Sequence, residues 1–160
     1  AETAFKTVFE DLEMDIELSN PDVGKDFELV LKSNNYSIEI KNVIEGKENV
    51  RMSILQGRTA VDEKENYALC VITRPNDDTE ISPVYFIENA SFVTDIGIQI
   101  GDKIKNWDEG LISLSQNEDI KVNLDNKTET VYINRSIWKE GIPFNDFIKI
   151  IETLFANETH

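Results

Sequence analysis

The feature that most constrains the fold is an uninterrupted apolar run, YALCVIT, at residues 67–73. A run of this length with apolar side chains on both sides predicts a strand that is covered on both faces. Cys70, the only cysteine in the chain, lies inside this run. We therefore expect a buried, unreactive thiol and no intrachain disulfide, which fits a reducing, intracellular setting.

The residues before this run predict a helix, three strands and a second helix. Apolar residues recur at helical spacing over residues 2–17, which favours an amphipathic first helix. DFELVLK and YSIEIKNV are strand-like runs separated by residues 33–35, a pattern typical of a hairpin. NVRM is a short third strand. Ser53 and Gln56 have the form of a capping box, which predicts a helix running toward Glu63.

The second half of the chain predicts fewer elements. Residues 74–83 are interpreted as a loop, PVYFIE as a strand, and Asp95 as the cap of a helix. IKVNL and ETVYINRS flank residues 125–127 and indicate a second hairpin, and Asn145 is interpreted as the cap of a final helix.

These elements predict an α+β (or α/β) fold with a central mixed sheet flanked by helices. The order is α-β-β-β-α-β, followed by a C-terminal hairpin and helix. A chain of 160 residues has the length of one domain. We expect a core at residues 1–75 and an extension at 80–160 that enlarges the sheet and covers its far face. Because the chain lacks an initiator Met, we also expect it to be a piece of a longer protein.

The charge of the chain restricts its partners. Its 31 acidic and 16 basic residues give a net charge of −15. Proteins that neutralise phosphates normally present a basic surface, so this balance argues against a stand-alone nucleic-acid-binding protein. Nucleic-acid binding would have to rest on a local basic patch, on metal ions or on attached domains. No segment approaches the about 18 apolar residues of a membrane span and no signal peptide is evident, so we expect a cytoplasmic location without a membrane partner.

Several common catalytic arrangements are excluded by composition. His160 is the only histidine and lies at the end of the chain, which argues against histidine as ligand or general base. The sequence contains no Gly-x-Ser-x-Gly motif and no Walker-type loop.

One constellation can support hydrolytic chemistry. Glu39 and Lys41 lie two residues apart on the predicted second strand of the hairpin, so their side chains share one face. Asp26 opens the preceding strand, and the hairpin folds it back toward them. Two carboxylates can hold Mg²⁺, which prefers oxygen ligands, and a neighbouring lysine can orient hydroxide or stabilise developing charge.

Asp26 followed by Glu39-Ile40-Lys41 resembles the Asp…(Asp/Glu)-x-Lys signature of the PD-(D/E)XK nuclease superfamily, as does the predicted order of elements. More narrowly, GKDFELVL, YSIEIKNV, VRMSILQGRTA and NYALCVIT are similar to the restriction-endonuclease-like domain at the C-terminus of NO VEIN-type and related prokaryotic defence proteins. The resemblance covers about residues 1–73. It implies a restriction-endonuclease-like core, Mg²⁺ or Mn²⁺ as cofactor, and DNA as the nucleic-acid partner.

The resemblance also implies roles for individual residues. Asp26, Glu39 and Ile40 would bind the metal, and Lys41 would be the catalytic lysine. Gln56 would lie near the metal, although the capping box explains its presence without help and is the favoured interpretation. Some related nucleases carry a glutamate on the first helix, for which this sequence offers Glu2, Glu10 and Glu13.

Two alternatives stay open at this level. Lys47, Arg51 and Arg58 can contact a phosphate backbone beside the site, or can serve as internal ion-pair partners in an acidic protein. The domain as a whole is interpreted as a metal-dependent nuclease whose DNA affinity is supplied by other domains or subunits. The rival interpretation is an inactive nuclease-fold domain that serves as a protein-interaction or regulatory module of a larger ATPase-type protein.

Overall fold

A computed structural model describes residues 1–12, 17–19, 24–30, 35–47, 49–103, 120–124 and 129–159. Its helices are α1 (Glu2–Glu10), α2 (Ile54–Glu63), α3 (Pro83–Asn89), α4 (Ile96–Lys103), α5 (Arg135–Trp138) and α6 (Phe144–Thr159). Its strands are β1 (Glu17–Ser19), β2 (Phe27–Val30), β3 (Asn35–Ile44), β4 (Asn49–Ser53), β5 (Tyr67–Arg74), β6 (Ala90–Val93), β7 (Ile120–Leu124), β8 (Glu129–Asn134) and β9 (Ile142–Pro143). A 3₁₀ turn at Lys64–Asn66 links α2 to β5.

The larger sheet is mixed, with the strand order β1-β2-β3-β5-β6-β9. Its two central strands, β3 and β5, are parallel and pair from Ser37 with Tyr67 to Ile44 with Arg74. The other neighbours in this sheet are antiparallel. The apolar run at residues 67–73 therefore forms a central strand, as predicted, and the predicted hairpin is the β2–β3 pair.

A second sheet has the order β4-β8-β7 and is antiparallel throughout. The chain thus leaves the larger sheet after β3 and enters the smaller one at β4. The predicted hairpin of the second half is the β7–β8 pair, and its turn lies outside the described residues.

Two hydrophobic clusters cover the two faces of the larger sheet. On one face, Ile38, Ile40 and Cys70 pack with residues of α1, α3 and α6. On the other face, Leu69 and Val71 pack with residues of α2, α4 and the smaller sheet. Successive residues of β5 alternate between the clusters, which explains why this strand is apolar along its length. Cys70 is a free thiol, fully buried, and burial raises its pKa.

The predicted α+β class, with a mixed sheet flanked by helices, is confirmed. The predicted order α-β-β-β-α-β is found with one additional strand, β1, and is followed by the predicted hairpin and final helix. The β6 and β9 strands enlarge the sheet and α6 covers one of its faces, in line with the role expected for residues 80–160. In the described part of the chain, no helix combines the length and apolar character that crossing a bilayer requires.

Two predictions of secondary structure were wrong. PVYFIE is a helix, α3, because the Ser82 hydroxyl accepts a hydrogen bond from the Tyr85 N–H and Pro83 occupies the first turn, where its missing N–H costs nothing. The first helix ends at Glu10 and Glu17 belongs to β1, so the helix does not span residues 2–17. The strand β6, the short helix α5 and the two-residue strand β9 were not predicted. Residues 104–107 of the predicted α4 helix lie outside the described residues.

Candidate active site

Glu39 and Lys41 lie on the same face of β3, as alternation along a strand predicts. The Lys41 Nζ is 3.3 Å from the Glu39 Oε1, and the two side chains are 25% and 2% exposed. Ile38 and Ile40 point to the opposite face, into the cluster that contains α1 and α6. The Glu39 carboxylate is therefore held in a nearly dry environment with one ammonium beside it.

Asp26 lies immediately before β2, one residue before the strand begins. Its backbone N–H donates to the Ile38 carbonyl at 3.0 Å. Its side-chain Oδ2 accepts a hydrogen bond from the Ile40 N–H at 2.7 Å. The Asp26 carboxylate thus lies against the β3 backbone between Glu39 and Lys41.

This contact also fixes the direction of the Ile40 carbonyl. In a strand, the N–H and C=O of one residue point toward the same neighbour. Because the Ile40 N–H points to Asp26, its carbonyl points to the same side. The apolar side chain of Ile40 offers no ligand, so the main-chain carbonyl is the only atom of this residue that can bind a metal.

The loop before Asp26 is held against α2 by Gly24. Gly24 has a φ of +67°, and a Cβ added there would lie 2.2 Å from the Thr59 Oγ1. Its carbonyl accepts a hydrogen bond from the buried Tyr67 hydroxyl at 3.1 Å. Lys25 extends the attachment by donating to the Glu63 Oε1 at 2.7 Å. Gly24 therefore positions the loop that carries Asp26, because glycine readily adopts the left-handed backbone conformation found there.

Gln56 takes part in the capping box of α2 and also contacts Glu39. Its side-chain oxygen accepts from the Ser53 N–H at 2.8 Å, and its own N–H donates to the Ser53 Oγ at 3.1 Å, so the predicted capping box is confirmed. Its Nε2 also donates to the Glu39 Oε1 at 2.5 Å. The start of α2 therefore fixes the orientation of the Glu39 carboxylate.

The surroundings of the site favour the neutral, protonated forms of the Glu39 and Glu2 carboxyl groups. Burial raises the pKa of Glu39 to about 7, the Asp26 charge raises it further, and the charge and hydrogen bond of Lys41 oppose the rise. The pKa of Glu2, at the start of α1, is also raised, by partial burial and then by the charge of Asp26 and a hydrogen bond to it. Of the two candidate glutamates that the structure describes, Glu2 and Glu10, Glu2 is the one that interacts with Asp26. Glu10 is exposed at the other end of α1, and residue 13 lies outside the described residues.

The donor atoms suit a hard cation. The Glu39 Oε2 is buried and has no hydrogen-bond partner within the described residues, which leaves one carboxylate oxygen available to a ligand. Carboxylate and carbonyl oxygens are the ligands that Mg²⁺ prefers, and Mg²⁺ usually retains several waters. Among the described residues, however, no group of three or more His, Cys, Asp or Glu side chains is arranged to hold an ion. Any metal here would therefore depend on few protein ligands.

A groove of about 450 Å³ opens at Lys41. Its walls are the second half of β3, the turn after it, the beginning of β4, and the end of β5 with the loop that follows. Its charged lining residues are Lys41, Lys47, Arg51, Arg74 and Asp77. Two of the three basic residues considered from sequence, Lys47 and Arg51, thus lie in this groove. Arg58 is an exposed residue of α2 with contacts of its own and does not line the groove.

Two features of the site were missed from sequence. Arg74 ends β5, pairs with Ile44 at the end of the parallel strand β3, and lines the same groove as Lys41. The parallel pairing of these two strands would have placed it at this edge of the sheet. The second is the support formed by Ser37, Lys25 and Glu63, in which the buried Ser37 hydroxyl donates to the Glu63 Oε1 at 2.7 Å. No sequence pattern predicts this contact, because it joins residues from three separate segments of the chain.

Comparison with known proteins places the chain in a family. A search of curated proteins found none that matches it. The family model described as "Protein NO VEIN, C-terminal" matches residues 3–86, just over half of the chain. The matched segment contains Asp26, Glu39, Lys41 and Gln56, and it continues beyond the residue-73 limit of the resemblance through most of α3. The chain therefore belongs to the NO VEIN C-terminal family.

Proposed function

We propose that this domain is a metal-dependent nuclease that hydrolyses phosphodiester bonds, with DNA as its substrate, in a prokaryotic defence or restriction-type protein. The observation that carries the proposal is the Glu39 carboxylate. It is buried, contacts Lys41, lies beside Asp26, and has one oxygen with no hydrogen-bond partner among the described residues. A buried carboxylate with a raised pKa and a specific charged neighbour is a common mark of a functional site.

Asp26, Glu39 and the Ile40 carbonyl would hold Mg²⁺ or Mn²⁺. The bound ion would supply Lewis acidity and lower the pKa of a coordinated water. Lys41 presents its ammonium next to Glu39, where it can stabilise negative charge that develops on a phosphate oxygen. Gln56 keeps the Glu39 carboxylate in one orientation through its amide hydrogen bond.

The experiment is cleavage of plasmid and single-stranded DNA with Mg²⁺ or Mn²⁺, compared with the same reaction in EDTA. We expect Lys41→Ala to lower the rate on the order of 100-fold, because it removes a charge that acts in the transition state. The control is Lys149→Ala on α6, which removes an exposed ammonium that does not line the groove beside Lys41. Equal rates for the wild type and Lys41→Ala would refute the assignment.

A second candidate function is favoured by the absence, among the described residues, of a three-ligand metal group. On this view the domain is an inactive nuclease-fold module that binds a protein partner or a neighbouring ATPase. Thermal unfolding with millimolar Mg²⁺ or Mn²⁺ separates the two functions, since a ligand that binds only the folded state raises the midpoint. A nuclease site should give a rise that Asp26→Asn abolishes. An unchanged wild-type midpoint would favour the interaction module.

A further inference from the structure

The groove beside Lys41 is basic in a strongly acidic chain. Four of its lining residues are basic and one is acidic, whereas the whole chain has a net charge of −15. Clefts lined by one sign of charge concentrate the field and attract ligands of opposite charge. The groove is therefore a local exception to the repulsion that the chain as a whole exerts on polyanions.

Two of the four basic side chains of the groove, Lys41 and Arg74, are paired with carboxylates, and the other two are available to a ligand. Within the part of the chain that the structure describes, Lys47 and Arg51 form no ion pair. The Arg51 guanidinium instead lies over the Tyr132 ring, 5.5 Å from its centroid, which keeps the charge while limiting its freedom. Arg74 is 3.7 Å from Asp77, and its buried Nε has no hydrogen-bond partner among the described residues.

The position and size of the groove restrict the ligand. It lies at the carboxyl ends of the parallel strands β3 and β5, where ligands bind in open α/β sheets. Lys41 belongs both to the groove and to the candidate site. A volume of about 450 Å³ is in the range that holds one small ligand, so it suits a nucleotide unit of a single strand better than a duplex.

We propose that this groove binds the sugar-phosphate backbone of a single nucleic-acid strand and leads that strand to Lys41. The identification of the ligand as nucleic acid rests on the proposed function. Lys47, Arg51 and Arg74 would each contact a phosphate. Three such contacts give only moderate affinity, which agrees with the expectation that other domains or subunits supply the rest.

The test is binding of a fluorescein-labelled oligothymidylate in EDTA, where no cleavage occurs, as a function of salt. Each phosphate contact on a single strand contributes about −0.7 to the slope of log K against log salt, so three contacts predict a slope of about −2. At about 50 mM salt, losing one contact should weaken binding about eightfold. We expect these changes for Lys47→Gln and for Arg51→Gln, whose side chains are exposed.

Lys149→Gln is the matched control, because it removes the same charge from an exposed position outside the groove. Equal binding by all three variants and the wild type would overturn the proposal. Equal affinity for a duplex of the same length, or for an acidic peptide, would overturn the assignment to a single strand. Normal circular dichroism of each variant is required for the comparison.

The failure of this proposal is distinguishable from failure of the proposed function. If Lys41→Ala abolishes cleavage but the groove variants bind normally, the nuclease assignment stands and the strand path is wrong. If Lys41→Ala cleaves as fast as the wild type while the groove variants lose affinity, the groove binds a strand without being part of a nuclease.

Discussion

Replacing the buried Glu39 by glutamine should make folding stability less dependent on pH. In the folded protein the pKa of Glu39 is about 7, against an ordinary value of 4.5, mainly because of burial. Glu39→Gln has nearly the same shape, and its amide oxygen can still accept the hydrogen bond from Gln56. The substitution therefore removes the titration with little change in packing.

The sign follows from proton linkage. Between pH 4.5 and about 7 the folded state holds a proton on Glu39 that the unfolded state has released. The stability that this proton contributes is fully present below pH 4.5 and is lost as the pH rises through about 7. From these two pKa values, the wild type should lose about 2 kcal/mol of unfolding free energy between about pH 5.5 and 8.5 through this group alone.

The assay is urea unfolding of the wild type and Glu39→Gln in EDTA at both pH values. Other groups titrate in both proteins, so the difference between the two pH dependences reports Glu39 together with its interaction with neighbouring charges such as Asp26. Glu152→Gln, an exposed residue of α6, is the control for loss of one carboxylate. Parallel pH dependences of the wild type and Glu39→Gln would show that the carboxylate is not desolvated as described.

Three further predictions concern stability. Gly24→Ala should lower the free energy of unfolding by about 1–3 kcal/mol, because φ is positive and the added Cβ would clash with α2. Gly46→Ala should lower it less, because Gly46 also has a positive φ, +94°, but no neighbour within 4 Å of the added Cβ. Urea unfolding of both variants separates the clash from the backbone strain. Phe147→Ala should lower the free energy of unfolding by about 3–5 kcal/mol, since the buried Phe147 ring stacks on Phe92 with the ring centroids 4.1 Å apart. A thermal unfolding midpoint within about 2 °C of the wild type would contradict this packing. Ser53→Ala should lower the free energy of unfolding by about 1 kcal/mol, because it removes the side-chain cap of α2. Thermal unfolding measures this loss, and an unchanged midpoint would mean that the cap does not contribute to stability.

Local signals in the sequence predicted the elements that depend on local chemistry. The β2–β3 hairpin, the capping box of α2 and the apolar β5 strand each follow from spacing or residue type within about ten positions. The α3 helix was missed because aromatic and β-branched residues suggested a strand. Its formation is aided by the Ser82 cap and by the Tyr85 hydroxyl, which donates to the Thr73 carbonyl at 2.6 Å.

The candidate site was predictable to the extent that strand alternation and hairpin pairing determine it. These rules predicted that Asp26, Glu39 and Lys41 lie close together, as they do in the structure. They could not show that Glu2 interacts with Asp26, because this contact depends on how α1 packs over the sheet. Nor could they reveal the groove, whose walls come from two different sheets.

The crossing of the chain from the larger sheet to the smaller one places the candidate catalytic residues and one wall of the groove on different sheets. The candidate catalytic groups lie on or beside β3, whereas Arg51 lies on β4 and rests on Tyr132 of β8. The β8 strand lies outside the segment that matches the family. Substitutions in β8 can therefore reshape the wall of the groove while Asp26, Glu39 and Lys41 keep their contacts. Under the proposed function, the shape of the groove can in this way vary through a strand that contributes none of the candidate catalytic residues.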